Sequence, residues 1–214
     1  MIIRHIGHAE FLIETQSGMR IVTDPYDAGT GYPVQKIRAD VALISHGHHD
    51  HNAIENLEGL TLTVKEAGVY TASKDIRVTA LRSFHDDEQG SKRGETLLFI
   101  TEADGLRIVH LGDLGCMPDK EQIRQLTQPD VLMIPVGGFY TIDGRKASEI
   151  VELLQPAVTL PMHYKTMYNN DWPISGPEVF LEGIPEKDIR RDVEVLRITK
   201  EDRECQPRVV IFRA

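Results

Sequence analysis

The sequence predicts an α+β fold in which two β-sheets pack face to face with helices outside. Three observations lead there. The first half reads as short strands joined by turns, and the second half alternates strands with helices. The residues suited to metal chemistry fall at strand ends or in the loops that follow them, as chemistry at one edge of a β scaffold requires.

Strands are expected over 11–15 and 20–23, flanking a hairpin turn at Gln16, Ser17, Gly18 and Met19. Pro25 ends the second, because proline donates no ladder hydrogen bond. The apolar run Val41, Ala42, Leu43, Ile44 reads as a buried strand, and a short helix is expected over 53–57. Residues 60–64, 69–71, 76–81 and 96–101 read as further strands, 102–105 as a turn, and 106–111 as a strong apolar strand. Pro118 suits the first position of a helix that turns Ile123 and Leu126 inward. Residues 131–136 form a buried strand. Ala147, Ile150, Val151 and Leu154 have the i, i+3, i+4, i+7 spacing of a helix with one apolar face, which Pro156 ends. A strand over 157–160 runs into Pro161, Met162 and His163. A helix from Pro177 through Gly183 and strands over 193–198 and 209–212 close the chain.

At 214 residues the chain suits one domain, 1–214, better than two small ones. Hydrophobic content of 41% with 27% charged residues is ordinary for a soluble globular protein. No apolar run approaches the roughly 20 residues of a membrane span. Residues 1–5 lack the basic and apolar regions of a secretory signal. Two cysteines, Cys116 and Cys205, make no disulfide framework, so a cytoplasmic, reducing location is expected. The net charge of −9 disfavours an extended nucleic-acid groove, which needs clustered Lys and Arg. It leaves room for a small anionic substrate, because the field at a metal site can oppose the global one.

The stretch after the 41–44 strand is the most informative: His46, Gly47, His48, His49, Asp50, His51. Imidazole and carboxylate are the usual ligands of zinc and its first-row neighbours. Alternate side chains of an extended loop share a side, so His46 and His48 can grip one ion while Asp50 and His51 reach a second. Three more ligand types fall at strand ends: His85, Asp113 and His163. With the loop they make the set two adjacent ions need. One ion takes His46, His48 and His85; the other takes Asp50, His51 and His163; Asp113 bridges. The donors suit zinc, and manganese, iron and nickel accept the same set.

The order of these ligands, with the flanking text Ile6-Gly7-His8-Ala9-Glu10-Phe11-Leu12-Ile13-Glu14, Ser83-Phe84-His85, His110-Leu111-Gly112-Asp113-Leu114-Gly115 and Pro161-Met162-His163-Tyr164, resembles the metallo-β-lactamase superfamily over residues 6–166. Within it the chain looks like the compact branch that includes ascorbate-6-phosphate lactonase. The resemblance implies a four-layer αββα sandwich with a dinuclear site at the edge between the sheets. It also implies that His8 stands behind the ligands, and relatives of this branch often self-associate, so a homo-oligomer is within the expectation. His48 occupies a position where flavodiiron relatives carry a carboxylate, which favours hydrolysis over iron redox chemistry. The chain is too short for the inserted domain of the β-CASP nucleases, and it lacks the basic arm of tRNA-processing relatives.

The chemistry expected is hydrolysis of a small lactone, ester or phosphodiester by a hydroxide made available at neutral pH by two divalent ions, with Asp50 as general base. Asp24 can orient ligand imidazoles or simply turn the chain before Pro25. His49 is expected to point away from the ions, and His110 to be a buried strand histidine. Tyr140, Thr141, Tyr164 and Lys165 are expected to line the pocket, Lys165 supplying a cation at its mouth. Residues 169–173, with the only tryptophan, can form a lid or pack on the core. The competing readings are a small nuclease and a metal-binding sensor or partner protein without catalysis.

Overall fold

The hairpin expected at the start is the middle of a larger antiparallel unit. In the computed structural model, which describes residues 1–214, β1 (Ile2–Gly7), β2 (Glu10–Glu14) and β3 (Arg20–Thr23) pair in sequence. Arg4 and His5 interrupt the apolar pattern of β1, which hides this strand from a sequence reading. The chain next forms β4 (Ile37–Arg38) and β5 (Val41–Leu43), then β6 (Leu57–Glu58) and β7 (Leu62–Val64). β5 pairs parallel to β3 and to β7, while β4 and β6 make a two-stranded ladder of their own. The helix expected over 53–57 is a single 3-10 turn, Ile54–Asn56. The Ala53 N–H is given to Pro25 O at 2.8 Å and Leu57 enters β6, leaving too few residues for an α-helical turn.

The second sheet opens with an antiparallel run of long strands, β8 (Gly68–Ser73), β9 (Ile76–Phe84), β10 (Glu95–Ala103) and β11 (Leu106–His110). It continues in parallel through β12 (Val131–Pro135) and β13 (Val158–Met162). Between these lie α1 (Lys120–Leu126) and α2 (Gly144–Leu154). Pro118 precedes α1 instead of opening it. Asp119 is the N-cap, exchanging hydrogen bonds with Gln122 in a capping box. In α2, Asp143 caps the start and Ala147, Ile150 and Leu154 are buried, as their spacing predicts. α3 (Glu178–Leu181) is shorter than the helix expected from Pro177 to Gly183. The strand expected over 193–198 is two strands in different sheets. β14 (Ile189–Val193) joins the second sheet beside β16 (Val209–Phe212), and β15 (Leu196–Arg197) crosses to pair with β1.

The result is a six-stranded sheet, ordered β15-β1-β2-β3-β5-β7, on an eight-stranded sheet, ordered β14-β16-β13-β12-β11-β10-β9-β8. Alternation along each strand divides the apolar residues between layers. Val41 and Leu43 of β5 face the inter-sheet core with Phe11, Phe99, Val131 and Met133. Leu98, Ile100, Leu132 and Ile134 face the other way, against Ile150, Leu154 and Phe180 of the helices. Central strands buried on both faces read as continuous apolar runs, which is why β12 and β10 were legible. The outer face of the first sheet, with Leu12, Val22 and Ala42, is covered by Ile37 and Leu57 of the β4–β6 ladder. The α+β sandwich of two packed sheets is therefore the observed fold, with the helices over the second sheet and the β4–β6 ladder over the outer face of the first.

Candidate metal centre

Six strands end at one edge, and each hands over a residue of the site. His8 follows β1, Asp24 follows β3, the 46–51 loop follows β5, His85 follows β9, Asp113 follows β11 and His163 follows β13. Two glycines let these loops meet. A Cβ on Gly115 would stand 2.3 Å from the carbonyl carbon of His85, and one on Gly137 would stand 2.2 Å from the carbonyl oxygen of His163. His8, Asp24 and His163 hold left-handed backbones, with φ of 52°, 38° and 51°. Such conformations cost about 1–3 kcal/mol each and cluster where function over-determines the backbone.

All seven predicted ligands converge. His46, His48 and His85 bring donor atoms within 4.8 Å of one another, and so do Asp50, His51 and His163 together with His8. Asp113 lies between the two groups. Its Oδ2 is 3.3 Å from Nε2 of both His85 and His163, and its Oδ1 is 3.2 Å from Nε2 of His51. His46 Nε2 stands 2.9 Å from His48 Nδ1. Ligands about 2.0–2.2 Å from a tetrahedral ion stand roughly 3.3 Å apart, so these separations fit the radius of such an ion.

Asp24 decides the tautomers. Its Oδ2 accepts from His51 Nδ1 at 3.0 Å and from Ser45 Oγ at 2.8 Å, while Oδ1 accepts from the Ser45 N–H at 2.7 Å. Ser45 Oγ in turn lies 2.9 Å from His46 Nδ1. With Nδ1 of His46 and His51 donating, their Nε2 lone pairs face the site. His51 Nε2 and Asp113 Oδ1 are buried and without a hydrogen-bond partner, although only 3.2 Å separates them. They are two acceptors pointed at each other, an arrangement that repels unless a positive charge lies between. Burial alone would lower the His51 pKa, yet the carboxylates of Asp113 and Asp24 outweigh it and push it well above the usual value. The ring therefore draws a proton or a metal ion in its place. Burial first, and then the histidines beside them, pull the imidazoles of His46 and His8 down to about 3, which favours the neutral form in which histidine ligates. The donor set fits divalent transition-metal ions.

The other nominated residues divide. His49 turns to Asp27, Nδ1 donating to Oδ1 at 2.8 Å, and stands on the outer wall. His110 is a buried strand histidine whose Nε2 donates to Ala9 O at 3.0 Å. His8 Nε2 lies 3.3 Å from Asp50 Oδ2. Tyr140 lines the cleft, which has a volume of about 350 Å³. Tyr164 does not: it is buried in the helix-side core with Ile142 and Phe180. Thr141 and Lys165 also lie outside the cleft wall, where the sequence reading had placed them. The chain turns at His163, so the residues after it face away from the ligands. Two wall residues went unremarked or undecided. Trp172 packs edge-on to His8 with 5.3 Å between ring centroids, and Arg93 comes from the loop between β9 and β10. A larger cavity of about 740 Å³, bounded by α2, α3 and β16, contains no histidine, cysteine or aspartate and offers no comparable chemistry.

Residues 2–163 match the model of the Beta-lactamase superfamily domain. A metal-dependent hydrolase of Archaeoglobus fulgidus is 31% identical over 92% of this chain and 96% of its own. An inferred Zn-dependent hydrolase of the metallo-β-lactamase superfamily from Thermotoga maritima is similar in structure, with a TM-score of 0.79 and 31% identity over 99% of this chain and 97% of that one. An isothiocyanate hydrolase from Delia radicum gut bacteria shares the fold at a TM-score of 0.70 and 14% identity, over 93% of this chain and 99% of that one.

Proposed function

Because this chain belongs to the metallo-β-lactamase superfamily and is a metal-dependent hydrolase, we propose that it holds two divalent ions and cleaves a small ester, lactone or phosphodiester. One domain, residues 1–214, carries the activity in this reading. His46, His48 and His85 would hold one ion and Asp50, His51 and His163 the other, with the Asp113 carboxylate lying between the two groups. The observation that carries the reading is the pair of facing acceptors, His51 Nε2 and Asp113 Oδ1, 3.2 Å apart and buried without a partner. Zinc suits this His-rich set best, and manganese, iron or nickel accept it.

When bound, the two ions supply Lewis acidity that polarises the substrate and makes water nucleophilic at neutral pH. The chain does the rest. Asp50 Oδ2 accepts the proton of the attacking water, and His8 Nε2, 3.3 Å away, aims that carboxylate. Tyr140 and Trp172 line the cleft with rings 5.9 Å apart, apolar surface that displaces water beside a bound substrate. A cleft of about 350 Å³ is the size of a small-molecule site. The net charge of −9 argues against a nucleic-acid substrate. No helix is long and apolar enough to cross a membrane, and the unpaired Cys116 and Cys205 suit a reducing, cytoplasmic setting.

Metal analysis of zinc-loaded protein, combined with a panel of model esters, lactones and aryl phosphodiesters, tests the proposal. Two equivalents of metal with turnover of one class are expected. A single equivalent would overturn the two-ion site. Two equivalents without any hydrolysis would shift the reading to a metal-binding sensor.

A further inference from the structure

The cleft wall holds a cation that the metal chemistry does not use. Arg93 is the one lysine or arginine among the cleft's lining residues. Its neighbours in the fold are paired, Lys92 with Glu88 and Arg82 with Glu95. The Arg93 guanidinium has no carboxylate or hydrogen-bond partner anywhere in the chain, although acidic residues outnumber basic ones, 33 to 24. It is half-buried, and its Cζ lies 5.8 Å from the centroid of the Tyr140 ring, within cation–π range.

The backbone beneath it is tied to the ligand loop. Asp86, buried directly after His85, accepts four backbone N–H groups. Oδ1 takes those of Glu88 and Gly90 at 2.9 and 2.8 Å, and Oδ2 those of Lys92 and Arg93 at 2.9 and 2.8 Å. One carboxylate thus closes the whole turn, and the position of Arg93 is referred to that of His85. A loose surface arginine needs no such anchoring; a recognition group does.

We propose that Arg93 determines specificity by binding a carboxylate of the substrate remote from the bond that is cleaved, so that the substrate is an ester or lactone bearing a free acid. The proposal rests on the hydrolytic reading above. A guanidinium offers two parallel N–H donors matched to a carboxylate and neutralises its single charge. A phosphate monoester carries roughly −1.5 to −2 near neutral pH, which one arginine would leave under-compensated in a chain of net charge −9. Tyr140 and Trp172 line the same cleft as Arg93 and the ligands, their ring centroids 5.9 Å apart, and give an apolar spacer aromatic surface to lie against. Asp86 is a positioning residue in this scheme.

Trp172 is the only tryptophan and lines the cleft, so its fluorescence reports occupancy independently of turnover. Zinc-loaded protein is titrated with the dicarboxylates from malonate to adipate and with monocarboxylates of equal length. One dicarboxylate is expected to bind about tenfold or more tightly than its monocarboxylate partner, the scale of one charge-assisted pair. Arg93→Gln should abolish that preference and Arg93→Lys retain part of it. Lys92→Gln, which removes a charge from the same loop outside the cleft, should keep it. A wild-type protein without the preference, or an Arg93→Gln protein that keeps it, overturns the proposal. In parallel, Arg93→Gln should lower by about tenfold the ratio of kcat/KM for a mono-p-nitrophenyl ester of that dicarboxylic acid to kcat/KM for the neutral ester of the same length. Failure to hydrolyse any ester, lactone or phosphodiester would sink the hydrolytic reading, while the fluorescence preference still decides the role of Arg93.

Discussion

Asp50 Oδ2 makes two contacts at once, 3.3 Å from His8 Nε2 and 3.6 Å from His51 Nε2, while the residue also lines the cleft. Replacing it by asparagine keeps the shape and removes the proton acceptor. Compared at full metal loading, turnover should fall by about 10²–10⁴-fold, and because asparagine is also the weaker ligand, more zinc should be needed to reach that loading; an active, fully loaded Asp50→Asn protein would exclude the general-base role. Glu10 is a different case, a buried acid outside the ligand set. Burial pushes its carboxyl from 4.5 up to about 8, against the single N–H that Tyr26 donates to Oε2 at 3.3 Å. The folded protein therefore keeps a proton that the unfolded chain releases near its ordinary value. The stability tied to that proton is complete below about pH 4.5 and is lost as pH rises through about 8. Glu10→Gln keeps the acceptor and cannot ionise, so its melting temperature should exceed that of wild type at pH 9 and match it near pH 4.5. Equal differences at both pH values would show that Glu10 does not titrate in this window. At this scale the sequence names donors well, because a His-x-His-x-Asp-His run is chemistry written in consecutive letters. It nominated Lys165 for the cleft and passed over Arg93, because which cation faces a wall depends on where a loop returns.

Strand ends carry the site, and glycines set how closely they approach. The backbone at Gly137 runs so near the carbonyl of His163 that a methyl group there would stand 2.2 Å from it. Gly137→Ala should cost about 1–3 kcal/mol by overpacking and displace the His163 loop, lowering metal occupancy. Calorimetry together with metal analysis checks both, and wild-type values in each would mean that the loops give way freely. Elements with strong local signals were read correctly: α2 from one apolar stripe, β10 and β12 from continuous apolar runs, the β2–β3 hairpin from its turn. Those decided by partners were not. Residues 193–198, with Val193, Val195, Leu196 and Ile198 apolar, read as one strand in the sequence but are divided between two sheets, because Val193 finds its ladder beside β16 and Leu196 finds its own beside β1. Residues 53–57 have the composition of a helix, yet Leu57 turns extended to pair with Ile37 of β4, which ends it after one 3-10 turn.

Across the whole molecule, the two sheets meet over an apolar core and leave their charged chemistry at one edge, where Asp24, Asp50 and Asp113 gather with five buried or half-buried imidazoles. Such an edge binds cations in the folded state only, so metal binding adds to folding stability. Chelation with EDTA should lower the melting temperature and zinc restore it, an effect of about 4 kcal/mol if metal is present at 1,000 times its Kd; an unchanged transition would mean that the edge holds no ion. What the sequence by itself determined is the layered α+β architecture and the candidate donors that the fold gathers, since strand periodicity and the His46–His51 spacing are local properties of the chain and the other three donor types fall at strand ends. The tertiary structure alone decided that Asp24, left open between orienting imidazoles and turning the chain, sets the tautomers of His46 and His51, that His8 reaches Asp50, and that Arg93 rather than Lys165 faces the cleft. Each of those is a contact between residues far apart in the chain. Its geometry comes from the register of sheets and the close passage of loops, which no local pattern of residues encodes.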